Sequence, residues 1–355
     1  MQLLPGWLLR GAVATQFYLF GRQHFTQTGW LEASANYAVP DMLTEADLSA
    51  KVYIVTGATS GIGRKVTELL CDQGATVYMI CRNGKKAVAV QDEIRAKGKG
   101  ETHYLLADVG VAADVRRVAA EFMERESSLH GLVCNAGALL SERTLTSEDI
   151  EVTYATHLLH GSYLLTELLR QPLGRAKEPR VILVSSGGMY TTRWPGAEKA
   201  GSIGSFADEY DGQSAYAIAK RGQVLLAEEW AKRENSSTSK SSHGSKISFV
   251  SAHPGWCATP GVEKVYGSAR MLSPMRGLYE GAEGIAWLAA APAEELETGA
   301  FYLDRKPQPK HMAGFPLDRS GAFTRNSDAE ISTFMDDMAQ QIRGNCVVDD
   351  DSIVK

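Results

Sequence analysis

Short apolar runs and helical patterns alternate along the chain from Lys51 onward. The runs are KVYIVTG, ATVYMICR, THYLLADV, LHGLVCNAG, PRVILVSSGG, KISFVSAHPG and GAFYLD, beginning at Lys51, Ala75, Thr102, Leu129, Pro179, Lys246 and Gly299. Between them, apolar residues recur at helical spacing over 63–71, 85–98, 112–126, 146–170, 214–232 and 280–291. Near-continuous apolar strands separated by helices predict a parallel sheet covered on both faces, with right-handed crossovers. The expected fold class is α/β: a doubly wound parallel sheet of about seven strands in three αβα layers, a Rossmann fold. Two stretches break the rhythm. Residues 234–246, ENSSTSKSSHGSK, have no apolar anchor and predict a flexible Ser-rich loop. After Asp304 three prolines interrupt the pattern, and a last helix is expected at about Asp328 to Ile342.

The expected division is an N-terminal aromatic extension at 1–48, the sheet domain at 49–305, and a C-terminal extension at 306–355 ending in a helix. The extension reads LLPGWLLRGAVATQFYLFGRQHF, apolar and aromatic, without an acid before Glu32. Pro5 and Arg10 interrupt any spanning helix, so no transmembrane segment is expected. A targeting peptide, an interfacial helix in peripheral contact with a membrane, and aromatics packed onto the domain all remain open. A net charge of −5 over 355 residues predicts no affinity for nucleic acid. Five cysteines, without a CxxC pair, favour a reduced intracellular location, cytoplasmic before organellar or membrane-associated, over a disulfide framework. No metal site is expected.

Three groups of residues carry chemistry. TGATSGIG follows the first strand and opens a helix. Gly57, Gly61 and Gly63 let the backbone turn tightly, and Thr59, Ser60 and Ile62 complete a turn whose free helix N–H groups suit a pyrophosphate. At the end of the second strand, where a carboxylate would select NAD, the chain has Cys81 and Arg82. A guanidinium binds a 2′-phosphate, so NADP(H) is favoured over NAD(H), with Arg64 as a second cation. In YAIAK, Tyr216 and Lys220 stand one helical turn apart. A cation at that distance lowers a phenol's pKa from about 10 toward the working range of a general acid or base.

The glycine spacing G-x-x-x-G-x-G, NAG at Asn135 to Gly137, Ser186 after the fifth strand and YAIAK together resemble the short-chain dehydrogenase/reductase family, over roughly residues 5–345. That resemblance implies that Tyr216 exchanges a proton with the substrate oxygen, that Ser186 hydrogen-bonds this oxygen, and that Lys220 also holds the ribose hydroxyls of the cofactor. Ser186 is chosen over Ser185 because it is nearer the strand end. Asp108 and Val109 would hold the adenine, although an Asp after a strand also reads as a helix cap. Asn135, Ala136 and Gly137 would make room for the ribose. Pro254 and Gly255 would fix a turn beside the nicotinamide, and Thr259 would bond its carboxamide or the pyrophosphate. The family's asparagine on the fourth helix is missing; His157 falls there, as proton relay or core residue. A homodimer is also implied.

The expected activity is an NADP(H)-dependent interconversion of an alcohol and a carbonyl on a small lipophilic molecule. Its apolar lining is expected from loop 256–280, with Trp256, Val262, Val265, Tyr266, Met271, Leu272, Met275, Leu278 and Tyr279, opposite Met189, Tyr190 and Trp194. A catalytically weak NADP(H)-binding scaffold or redox sensor is the alternative, motivated by the absent asparagine. Tight cofactor binding without turnover separates the two.

Overall fold

The computed structural model describes residues 6–201, 210–236, 244–259, 272–312 and 324–344, with backbone alone for 6–10 and 344. Its centre is one eight-stranded sheet. The strands are β1 (Val52–Thr56), β2 (Thr76–Cys81), β3 (Glu101–Leu106), β4 (Gly131–Cys134), β5 (Arg180–Val184), β6 (Ser248–Ala252), β7 (Phe301–Leu303) and β8 (Lys306–Gln308). Their order is β3-β2-β1-β4-β5-β6-β7-β8. The first seven are parallel. The eighth pairs antiparallel with β7 across a tight turn at Asp304 and Arg305, both at positive φ. Three prolines in that region hid this short edge strand, which buries little.

Period two sorts the strand side chains to opposite faces. Ile54, Leu132, Val181 and Leu183 meet one helical layer, through Val115, Phe122, Leu158, Leu226 and Trp230. Tyr53, Val55, Val133 and Ile182 meet the other, through Val66, Leu70, Ile94 and Ile285. Covering helices on both faces explain why β1 and β5 are buried along their whole length. The chain reverses direction across the sheet between β1 and β4. The connections leaving β1 and β4 therefore pass to opposite faces of the sheet and leave a crevice at the strands' C-terminal ends, the usual ligand seat of this topology.

Three local expectations change. The helix predicted from 146 starts at Val152 and passes through a π-helical stretch, Ala155–Leu164. Glu151 caps it by accepting from the N–H groups of Thr153 and Tyr154. Glu148, just before it, accepts from the N–H groups of Ala112 and Ala113 at the start of the helix Ala112–Arg125. The last helix breaks at Thr333 into Asp328–Ser332 and Phe334–Gly344, and buries Phe334, Met338 and Ile342 in the first core layer. At the N-terminus, the helix Gly6–His24 lies on the domain, with Phe17 and Phe20 packed on Phe25, Met189 and Tyr190. No helix among the described residues is long and apolar enough to cross a membrane. Cys71, Cys81, Cys134 and Cys257 are buried free thiols; Cys346 lies outside the described residues.

Candidate active site

At the end of β1 the backbone enters the left-handed region at Gly57 (φ 67°) and Gly61 (φ 55°), which residues with a Cβ rarely adopt. The helix Gly61–Asp72 starts there, and the Ser60 side chain makes no capping bond. Its first-turn N–H groups are thus left for a ligand. Asn135 stitches the turn to β4. Its Nδ2 donates to Thr56 O at 2.9 Å, and its own N–H and that of Ala136 donate to Thr56 Oγ1 at 3.0 and 2.8 Å. Gly63 has a packing role, because a Cβ there would lie 2.4 Å from Asn135 Nδ2.

A cavity of about 990 Å³ runs along the crevice from Arg82 to Tyr216. Gly57, Thr59, Ser60, Gly61, Ile62, Arg82, Asp108, Val109, Asn135, Ala136, Gly137, Ser186, Tyr216, Lys220, Pro254, Gly255 and Thr259 all line it; of the residues expected at the cofactor and the reacting oxygen, Gly63 and Arg64 do not. At its far end Arg82, largely exposed, sits 3.5 Å from the half-exposed Asp108. Asp108 also accepts from Gly110 N–H at 2.9 Å, so it turns the chain and faces the cavity at once. Arg64 is not the second cation, because it is held by Glu68 and Glu93. Lys86, unnoticed in the sequence, lines the cavity instead.

At the near end Tyr216 and Lys220 project from the helix Gly212–Ser236, with Lys220 Nζ 5.5 Å from the Tyr216 ring centre. Lys220 is buried, and burial pushes its pKa down to about 7. It donates to Val184 O at 2.6 Å and to Gln223 Oε1 at 3.1 Å. Gln223 in turn donates to His157 O at 2.9 Å and to Ser162 Oγ at 3.1 Å, and Ser162 donates to His157 O at 2.6 Å. The lysine is therefore tied through Gln223 to the π-helical stretch. Ser185 is committed elsewhere, donating to Lys220 O at 2.8 Å. Ser186 Oγ accepts from Gly188 N–H at 3.3 Å.

His157 meets Tyr216 edge-on, 5.2 Å between ring centres, and covers Gly137, where a Cβ would fall 1.9 Å from its Cε1. Burial, and then the Lys220 charge, hold its pKa well below the usual histidine value. A neutral ring of this kind packs against the phenol without adding charge. His253, just before Pro254, is likewise buried, its pKa held well below the usual histidine value, and neither ring nitrogen has a partner among the described residues. A buried polar atom in that state costs ~1–3 kcal/mol unless water or a ligand meets it.

The expected apolar lining needs correction. Met189, Tyr190 and Trp194 are core residues: Tyr190 OH donates to Pro309 O, and Trp194 packs on Phe334. Trp256 and Leu272 line the cavity, whereas Met275, Leu278 and Tyr279 do not. Val262, Val265, Tyr266 and Met271 lie outside the described residues, as does most of the Ser-rich loop. The missing wall comes from Phe17 and Tyr18 of the N-terminal helix.

The family model for short chain dehydrogenase matches residues 51–197. Dehydrogenase/reductase SDR family member 12 of Bos taurus is 32% identical over 331 residues, 91% of this chain and 96% of that one. Retinol dehydrogenase 12 of Bos taurus is 30% identical over 271 residues, 74% of this chain and 80% of that one. Among solved structures, a short chain dehydrogenase from Shigella flexneri complexed with NADP is similar in fold, with a TM-score of 0.55 at 18% identity, covering 74% of this chain and 100% of that one. The glycine turn, the tyrosine–lysine helix and the length of these matches lead to one conclusion: the chain belongs to the short-chain dehydrogenase/reductase family and is an NAD(P)-dependent oxidoreductase.

Proposed function

We propose that the protein interconverts an alcohol and a carbonyl on a small lipophilic molecule with NADP(H), using Tyr216, Ser186 and Lys220. The observation that carries this reading is that these three residues share one cavity wall with the glycine turn and, at the opposite end, Arg82 and Lys86. The cavity suits a dinucleotide. Open first-turn N–H groups face the place for a pyrophosphate, and two cations stand where a 2′-phosphate would lie. The Lys220 ammonium has three N–H donors and gives two to Val184 and Gln223, which leaves the third for a ribose hydroxyl.

Bound there, the nicotinamide supplies or accepts the hydride. The chain's own residues handle the oxygen. Ser186 donates a hydrogen bond that orients the carbonyl, and Tyr216 delivers the proton to that oxygen in reduction and takes it back in oxidation. Lys220, held beside the phenol, favours its ionised form when charged. The name of the retinol dehydrogenase relative speaks for a lipophilic alcohol, and the Shigella structure for NADP.

Tyr216→Phe should lower NADPH-dependent reduction of a panel of apolar ketones and aldehydes by about 100-fold or more, with NADPH affinity kept. Undiminished turnover would remove Tyr216 as the proton donor. Tight NADPH binding by the wild type, without turnover of any panel member, would support the scaffold reading instead.

A further inference from the structure

The cavity continues past Ser186 and Tyr216 to a wall of aromatic rings. Phe17, Tyr18 and Trp256 line it, and none of them is charged. Phe17 reaches the catalytic segment itself: a Cβ on Gly187, the residue after Ser186, would lie 3.1 Å from Phe17 Cε2. The Trp256 ring stands edge-on to Phe17 and stacks on Tyr18, each with centres 6.4 Å apart. Phe17 and Tyr18 are half-buried, so part of each ring is left toward the cavity.

This wall is fixed to the domain. Gly21 allows the helix onto Trp256, because a Cβ there would lie 2.3 Å from Trp256 Cζ2. Trp256 N–H donates to Phe25 O at 2.7 Å. Buried Arg276 donates to His24 O at 2.7 Å and to Thr26 O at 3.2 Å, while its guanidinium pairs with Asp304 at 2.6 Å. Gln27 N–H donates to Pro274 O at 2.9 Å, and Gln27 Nε2 to Glu280 at 2.8 Å. Side chains locked by such supports can discriminate substrate shape; a loosely tethered helix could not.

We propose that Phe17 and Tyr18, with Trp256, are the specificity wall of the substrate site, and that they select flat, apolar carbonyl compounds and the corresponding alcohols. The proposal rests on the oxidoreductase reading above for its chemistry, but its geometry is a binding statement. Flat rings offer large rigid apolar contact at little entropic cost, and they favour a planar partner over a small or branched one. The helix Gly6–His24 is then part of the catalytic unit.

The test compares the wild type with the Phe17→Ala/Tyr18→Ala and Phe17→Leu/Tyr18→Leu double variants. The leucines keep apolar packing and remove the flat faces. NADPH affinity and melting temperature report whether each variant folds. Calorimetric titration of the NADP⁺-loaded protein with fluorenone, a flat aromatic ketone, should show at least tenfold weaker binding in both variants. With NADPH, the ratio of kcat/KM for fluorenone to that for butan-2-one should fall at least tenfold. Should the alanine variant not fold, the leucine variant carries the comparison. If the wild type binds fluorenone without reducing it and the variants bind it tenfold more weakly, the wall stands and the catalytic reading falls. If the wild type does not bind fluorenone, or a folded variant binds it as tightly as wild type, the proposal is overturned.

Discussion

Lys220 sits where two demands oppose each other. In the proposed mechanism it must be charged to act on Tyr216 and on a ribose, yet burial favours its neutral form and brings its pKa down to about 7. The backbone oxygen of Val184 and the amide oxygen of Gln223 favour the ammonium, but neither carries a full charge. Above pH ~7 the cofactor-free protein therefore holds Lys220 largely deprotonated. A bound dinucleotide brings anionic phosphates and hydroxyl acceptors, which raise the lysine's pKa again. Binding NADPH, whose nicotinamide is neutral, should thus take up more protons at about pH 8 than at about pH 6. His157 and His253 do not obscure this, since both are already neutral across that range. Calorimetry in buffers of different ionisation enthalpy measures the uptake directly. Lys220→Met should abolish it. Gln223→Met removes one acceptor and should move the half-point below that of the wild type. Uptake that is flat from pH 6 to 9 would contradict the assignment. Gln223 itself was legible in principle, since it lies three residues after Lys220 on the same helix face. No pattern of types, however, marks a glutamine that bridges to another helix.

Among the elements, the N-terminal segment depends most on partners distant in sequence. Arg276 and Asp304 form a two-pronged buried pair, and the same guanidinium holds two carbonyls of the segment. Arg276→Met would leave the Asp304 carboxylate buried without its partner, at a cost of ~3–5 kcal/mol. The melting temperature should drop by about 4–7 °C, taking ~1.3 °C per kcal/mol for a chain of 355 residues. Limited proteolysis should cut first between residues 10 and 40. A drop under ~2 °C with that stretch still protected would count against the anchor. Such ties explain which parts of the fold could be read from sequence. Strands β1, β2 and β4 to β7 are short, mostly buried runs, so their apolar residues announce them without knowledge of their neighbours, while β3 at the sheet edge is only partly buried. The glycine turn and YAIAK were equally legible, because each is a local device whose geometry lies within eight residues. Met189, Tyr190 and Trp194 were misread because an apolar residue after a strand suits a pocket wall or a core equally well. The helix Phe334–Gly344 and Pro309, just after β8, decide the matter, and they lie far along the chain. Phe17 and Tyr18 were missed for the converse reason: nothing local says that a segment preceding β1 returns to the C-terminal ends of β5 and β6.

For the molecule as a whole, the crevice divides the sheet into a β1–β3 side and a β4–β6 side, and a dinucleotide lying in the cavity would touch both. Ligation then stabilises the fold as a unit, by RT ln(1 + [L]/Kd), about 2.7 kcal/mol when the ligand stands at 100 Kd. Melting temperature therefore reads cofactor preference without any substrate. The chain is acidic overall, at −5, yet among the described residues the end of the cavity away from Tyr216 presents Arg82 and Lys86 against the carboxylate of Asp108. A 2′-phosphate adds charge where those cations lie, and a 2′-hydroxyl does not. At equal saturating concentrations NADPH should accordingly stabilise the protein more than NADH, by about 1.4 kcal/mol for each tenfold difference in affinity. Arg82→Ala should bring the two melting curves together, and Lys86→Ala should close part of the gap. Because the Arg82 side chain is 74% exposed, its contribution is screened, and the gap should narrow as salt rises from about 0.05 to 0.5 M. Equal stabilisation of the wild type by both cofactors at low salt would mean that Asp108 neutralises Arg82 for the ligand as well, and the NADP(H) preference would have to be given up.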